Sequence, residues 1–156
     1  MNIACPDNVF DIINCSQIYE HVPDCRRLML EIYRVLKPEG ICFFAAGNRF
    51  VFRDHEYKLP FLSIIPKFLA HLYLRILHKN DFYYETFLTY WGLKNLVSKF
   101  EIIDYTKKII QYPERFYAND MILDGSFKQK FALFVLKYAY WTCPTYIWIL
   151  KKPLMQ

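Results

Sequence analysis

The run Val9-Phe10-Asp11-Ile12-Ile13-Asn14-Cys15, set off by Pro6-Asp7-Asn8 before it, constrains this chain more than any other stretch. It is short, apolar and rich in β-branched residues, as a buried strand of a parallel sheet is. From Pro23-Asp24 to about Leu36 the period changes. Leu28, Ile32 and Val35 recur at helical spacing, while Arg26, Arg27, Glu31 and Arg34 fall mostly elsewhere on the wheel. Lys37-Pro38-Glu39-Gly40 stops this helix, because Pro38 cannot continue it and Gly40 permits the turn. Residues 41–46 are a second apolar run. Strand, helix and strand with tight connections predict a right-handed crossover, and hence an α/β fold.

Further along, Pro66 suits the first turn of a helix reaching about His78, with Phe68, Leu69, Leu72, Ile76 and Leu77 as its apolar stripe. Thr89 is the expected N-cap of a helix running to Phe100, and residues 100–107 read as a strand. Ser126 caps a predicted helix over 127–141, and 146–150 forms a last strand.

With 156 residues, 54% of them hydrophobic and 19% aromatic, the chain can build one packed domain and is not disordered. Its net charge of +5 is uneven: residues 1–40 hold four basic and six acidic groups, residues 41–156 sixteen and nine. The basic part suits an anionic partner or is simply a solvated face. Its charges are scattered rather than massed, and no helix-turn-helix or RNA-binding signature occurs, so no nucleic-acid partner is expected. Cys5, Cys15, Cys25, Cys42 and Cys143 are odd in number and form no C-x-x-C pair. Neither a zinc knuckle nor a disulfide framework is indicated, and a reducing cytoplasm is the expected location.

Residues 131–150 are nearly long enough to span a bilayer, but Lys137 and Pro144 interrupt them, so two shorter elements are expected. Lys67, Arg75, Lys79, Lys128 and Lys130 beside aromatic and aliphatic residues suit helices lying at the inner membrane surface; core packing accounts for the same apolar residues.

Phe10-Asp11, then Glu20-His21-Val22, then Arg34-Val35-Leu36-Lys37-Pro38, at these spacings, resemble the class I S-adenosylmethionine-dependent methyltransferases of the type 11 kind. The resemblance is strong over residues 6–50 and looser, by element order, to about 152. It implies a partial Rossmann-like methyltransferase sheet in a single partial domain, 1–152, with a helical insertion at about 48–87. The family's sheet is ordered 3-2-1-4-5-7-6, with strand 7 antiparallel. Strands 4, 5, 6 and 7 would fall near 9–15, 41–46, 100–107 and 146–151. Gly40, Gly47, Gly92 and Gly125 form no G-x-G, so the family's glycine-rich cofactor loop has no counterpart here. The chain is therefore expected to be a truncated product, a wrongly started gene model or one part of a split domain. A partner chain or second copy would then cover strand 4.

By the same resemblance, S-adenosylmethionine is the expected cofactor, with Cys15, Ser16 and Gln17 as its strand-4 wall. His21 is the candidate general base for a hydroxyl acceptor. Asn48, His55 and Tyr57 are candidate contacts to the acceptor, a small molecule, a glycan precursor or a lipid-linked compound. The ubiquinone-biosynthesis O-methyltransferases carry Glu-x-x-Glu-His in this loop, which can bind a divalent metal. Gln17 replaces the first Glu with a neutral ligand, and no metal is expected. A non-catalytic half-domain that docks on a partner or a membrane is the alternative.

Overall fold

The computed structural model describes residues 2–53, 56–79 and 82–154. Strand β1 (Phe10–Ser16) leads through a loop to helix α1 (Cys25–Val35), and β2 (Leu36–Gly47) returns parallel to β1. This is the predicted crossover. The Asp24 side chain accepts the Arg27 N–H at 2.9 Å, satisfying one of the amides that a helix start leaves open. Leu28, Met29, Ile32 and Val35 are the buried face of α1.

The turn expected at 37–40 lies inside β2 as an irregularity: Phe10 opposes Leu36, but Ile12 already opposes Ile41. Its left-handed residue is Glu39, at φ 66°, and not Gly40. Gly40 is required by close approach instead. A Cβ there would lie 2.8 Å from the Lys37 carbonyl oxygen and 3.2 Å from that of Asp11.

Strands β3 (Glu101–Asp104) and β4 (Thr145–Lys151) complete a sheet ordered β1-β2-β4-β3, with β4 antiparallel to both its neighbours. That order and polarity are those expected of strands 4, 5, 7 and 6 of the Rossmann-like methyltransferase sheet. The expected strand to residue 107 is shorter, because Asp104 Oδ1 accepts the Thr106 N–H at 2.8 Å and the chain turns into α4 (Thr106–Gln111). Helix α3 (Tyr90–Leu96) starts at Thr89 as predicted and stops four residues before Phe100, while α5 (Phe127–Tyr138) starts at Ser126 and stops at Tyr138, not 141. No helix among the described residues is long and apolar enough to cross a membrane.

One face of the sheet is the main core. Cys42, Phe44 and Ala46 of β2 and Tyr146, Trp148 and Leu150 of β4 alternate inward against α1 and against Leu93 and Val97. Each fully buried Leu or Phe contributes about 1.5–3 kcal/mol. The opposite face, with Phe43, Ala45 and Ile147, looks into a large cavity. Among the described residues no strand pairs with the outer edge of β1, where Val9, Phe10 and Ile12 are exposed.

The segment expected as an insertion has its own small core of Leu62, Ala70, Leu74 and Tyr83 around α2 (Lys67–Ile76). The stripe predicted on this helix turns outward: Phe68, Leu72 and Ile76 are 69%, 53% and 65% exposed, and the shorter Ala70 faces in.

The segment before β1 is tied to α1 by one guanidinium. Arg34 donates to the carbonyls of Ile3 and Cys5, to Asp7 at 2.7 Å and to Glu31 at 2.9 Å, while Glu31 also accepts the Ile3 N–H. These bonds hold the Glu31 carboxyl down at about 2, against an ordinary 4.5. A lowered acid stabilises the fold above its unfolded value and loses that contribution as pH falls through its folded one. The anchoring of residues 3–7 is expected to be intact above pH 4.5 and to be lost towards pH 2. Exchange of the Ile3 amide, followed by NMR against pH, would check this. An unchanged profile in Glu31→Gln would show that another group is responsible.

Candidate functional site

The site lies at the carboxyl ends of β1 and β2, where the loop 17–22 leaves the sheet. Gln17 adopts a left-handed conformation (φ 52°), and its N–H donates to Ala45 O at 2.8 Å, so the chain turns sharply while still held to β2. Tyr19 fixes the loop from beneath. It is 1% exposed; its hydroxyl donates to Gly47 O at 2.5 Å and accepts the Leu88 N–H at 3.1 Å. One phenol thus ties the loop, the end of β2 and the approach to α3 together. The Glu20 carbonyl accepts the Thr86 N–H at 2.9 Å, which brings the insertion's returning arm alongside.

Above this frame opens a cavity of about 1240 Å³. Its walls are mostly apolar, with Phe43, Ala45 and Ile147 from the sheet, Phe87 from the arm, and Ile110 and Val135 from α4 and α5. Ser16, Gln17, Glu20, His21, Glu56 and Glu85 supply its polar end. Binding cavities for organic molecules have this character: a large apolar volume with a few polar groups at one side.

The expected site residues divide. Ser16, Gln17 and His21 are exposed and line the cavity. Cys15 is 2% exposed and turned into the core, where burial pushes its thiol up to about 11. Asn48 is buried, and its amide donates to the Trp141 and Cys143 carbonyls, both at 2.8 Å. Tyr57 packs beside Tyr83 in the insertion core, ring centroids 6.1 Å apart. His55 lies outside the described residues.

Sequence reasoning missed Glu56 and Glu85. One ligand atom from each and one from His21 lie within 4.8 Å of one another. The three come from the loop after β1 and from two arms of the insertion, with no periodic spacing to signal the meeting. Glu20 enters the sequence reading only within the family's motifs, with no role of its own. It is 2% exposed, its Oε2 has no hydrogen-bond partner among the described residues, and burial raises its pKa.

Residues 1–44 match the family model described as a methyltransferase domain. The chain is thus similar to a methyltransferase domain over this segment. It is 34% identical over 85 residues to the ubiquinone biosynthesis O-methyltransferase of Actinobacillus pleuropneumoniae serotype 5b, covering 54% of this chain and 32% of that protein. To the protein of the same name from Coxiella burnetii it is 33% identical over 87 residues, covering 53% and 34%. The methyltransferase segment thus spans about a third of the length of these curated relatives. Among solved structures, the YcgJ protein of Bacillus subtilis overlaps 99% of this chain and 68% of its own, at 15% identity and a TM-score of 0.46.

The residues present fit one wall of a cofactor site. Ser16 and Gln17 offer uncharged polar groups and a backbone held in place at the carboxyl end of a strand. In open α/β sheets ligands are held at that end of the strands.

Proposed function

We propose that this chain forms the acceptor side of an S-adenosylmethionine-dependent methyltransferase, with one wall of the cofactor site and the pocket for an apolar or lipid-linked oxygen acceptor. The observation that carries the reading is the cavity of about 1240 Å³, apolar along α4 and α5 and polar where Ser16, Gln17 and His21 stand. The names of the relatives, which refer to O-methyl transfer in ubiquinone biosynthesis, support an oxygen acceptor.

When bound, the cofactor supplies an already activated methyl group, so the protein's share is chiefly alignment and exclusion of water. Ser16 and Gln17 would line the cofactor from the strand side. Phe43, Ile110 and Val135 would bind the acceptor's apolar part and leave its hydroxyl at the polar end. His21, exposed on the cavity, would take the hydroxyl proton. The outward stripe of α2, with Lys67 and Arg75 on the same helix, would rest on an anionic membrane from which a lipid-linked acceptor enters.

The open edge of β1 favours a second reading, in which the chain is a non-catalytic half-domain and another chain adds a strand there. Calorimetric titration of S-adenosylhomocysteine into the folded chain separates the two. Micromolar binding that disappears in Ser16→Trp is the result expected of a methyltransferase site. A folded chain that takes up no S-adenosylhomocysteine, and copurifies with a partner seated on β1, would overturn the first reading in favour of the second.

A further inference from the structure

Glu20 has no part in aligning cofactor and acceptor, yet it lines the same end of the cavity as Ser16 and Gln17. It is only 2% exposed, and its Oε2, out of contact with solvent, has no hydrogen-bond partner among the described residues. Its charge is felt at the end of β1: burial first, and then the Glu20 carboxylate, push the Cys15 thiol up to about 11. Burial raises the Glu20 pKa as well, and its own backbone amide and the neighbouring His21 offset part of that rise. A carboxylate so placed is costly unless a positive charge comes near it.

We propose that the Glu20 carboxylate is the counter-charge for the sulfonium of S-adenosylmethionine, and so makes this site prefer the cofactor to its demethylated product. The inference rests on the methyltransferase reading of the cavity. A sulfonium carries a full positive charge but no N–H or O–H, so it needs a negative charge nearby and not an acceptor in contact. Glu20 offers that: a carboxylate behind the wall, where a low local dielectric keeps its attraction strong. An ammonium or a hydroxyl would need the oxygen open to the cavity in order to donate to it. Methyl transfer breaks the S–CH₃ bond, leaves its electron pair on sulfur and forms the O–CH₃ bond, while the hydroxyl proton passes to His21. The sulfur is then neutral, and its attraction to Glu20 is gone from the product complex. That charge is already fading in the transition state, so Glu20 favours cofactor capture and product release rather than the chemical step.

Calorimetric titration of the full chain with each ligand in turn tests this. S-adenosylmethionine is expected to bind about tenfold or more tightly than S-adenosylhomocysteine, the scale of one partly screened charge pair. Glu20→Gln should remove that preference, weakening S-adenosylmethionine about tenfold and leaving S-adenosylhomocysteine unchanged. The variant takes a charge out of a buried position, so it should melt no lower than the parent. If it does not fold, the parent's own preference still decides the matter. Equal affinities in the parent would overturn the proposal and leave the cofactor site standing. So would an equal loss of both ligands in Glu20→Gln, which would mean that Glu20 holds a group the two ligands share. A folded chain that takes up neither ligand would remove the methyltransferase reading and the proposal together.

Discussion

Replacing Asn48 with aspartate is expected to cost about 4 kcal/mol of stability, among the largest effects of any single substitution in this chain. Asn48 is fully buried just after β2, and its Nδ2 donates to the Trp141 and Cys143 carbonyls at 2.8 Å and to the Tyr146 hydroxyl at 3.2 Å. Its own N–H donates to Pro144 O at 2.8 Å. A carboxylate in the same place would turn a donor into an acceptor facing two carbonyls, and it would be a buried charge with no counter-ion. The sign with pH follows from that environment. The new carboxyl would have a folded pKa raised above its unfolded value of about 3.9, so the loss is smallest in acid and grows as pH rises through the folded pKa. For a chain of this length the change corresponds to a fall in Tm of roughly 10 °C near neutral pH. Thermal melts at several pH values would check it. A variant that melts like the parent at neutral pH would instead favour the role expected from the family resemblance, in which this Asn touches the acceptor.

Asn48 also marks where the sequence stops being readable. The crossover over residues 9–46 is legible because its signals are local: a β-branched run, a helical period, and a proline that ends the helix. The caps Thr89 and Ser126 are legible for the same reason, since each side chain accepts an amide three residues on, from Gly92 and Gln129. The ends of α3 and α5 are not, because nothing in the apolar periodicity changes where those helices stop. Helix α4 is hidden because Asp104 ends the strand by an Asx turn that no alternation pattern reveals. Ser16, Gln17 and His21 are found through the family motif, which lies within one short segment. Glu56 and Glu85 meet His21 only in the folded structure, and their positions along the chain carry no trace of that meeting. The outward stripe of α2 shows the complementary limit: periodicity identifies an apolar face but not the direction in which it points.

Lys152→Met should cost about 3 kcal/mol, although it exchanges one flexible side chain for another of similar length. Lys152 is 3% exposed, and its Nζ donates to Asn8 Oδ1 at 2.8 Å, Tyr33 O at 2.8 Å and Leu36 O at 2.7 Å, above the Tyr33 ring. Two of these acceptors are backbone carbonyls at the end of α1, where the helix leaves its last carbonyls without intrahelical partners and where its dipole favours a cation. The third lies just before β1. The substitution is conservative in volume alone: a thioether fills the space, but three acceptors lose their donor together, the buried Leu36 carbonyl among them. Lys152→Arg separates charge from geometry, because a planar guanidinium keeps the cation yet cannot direct three donors around one point. It is expected to recover less than half of the loss. Denaturant unfolding of both variants would measure this. A cost below about 1 kcal/mol for Lys152→Met would mean that water reaches the three acceptors, and that β1 is held in place by its pairing with β2 alone. A full cost would make Lys152 the link that joins the start of β1, the end of α1 and the end of β4, and so sets the strand on which Ser16 and Gln17 are carried.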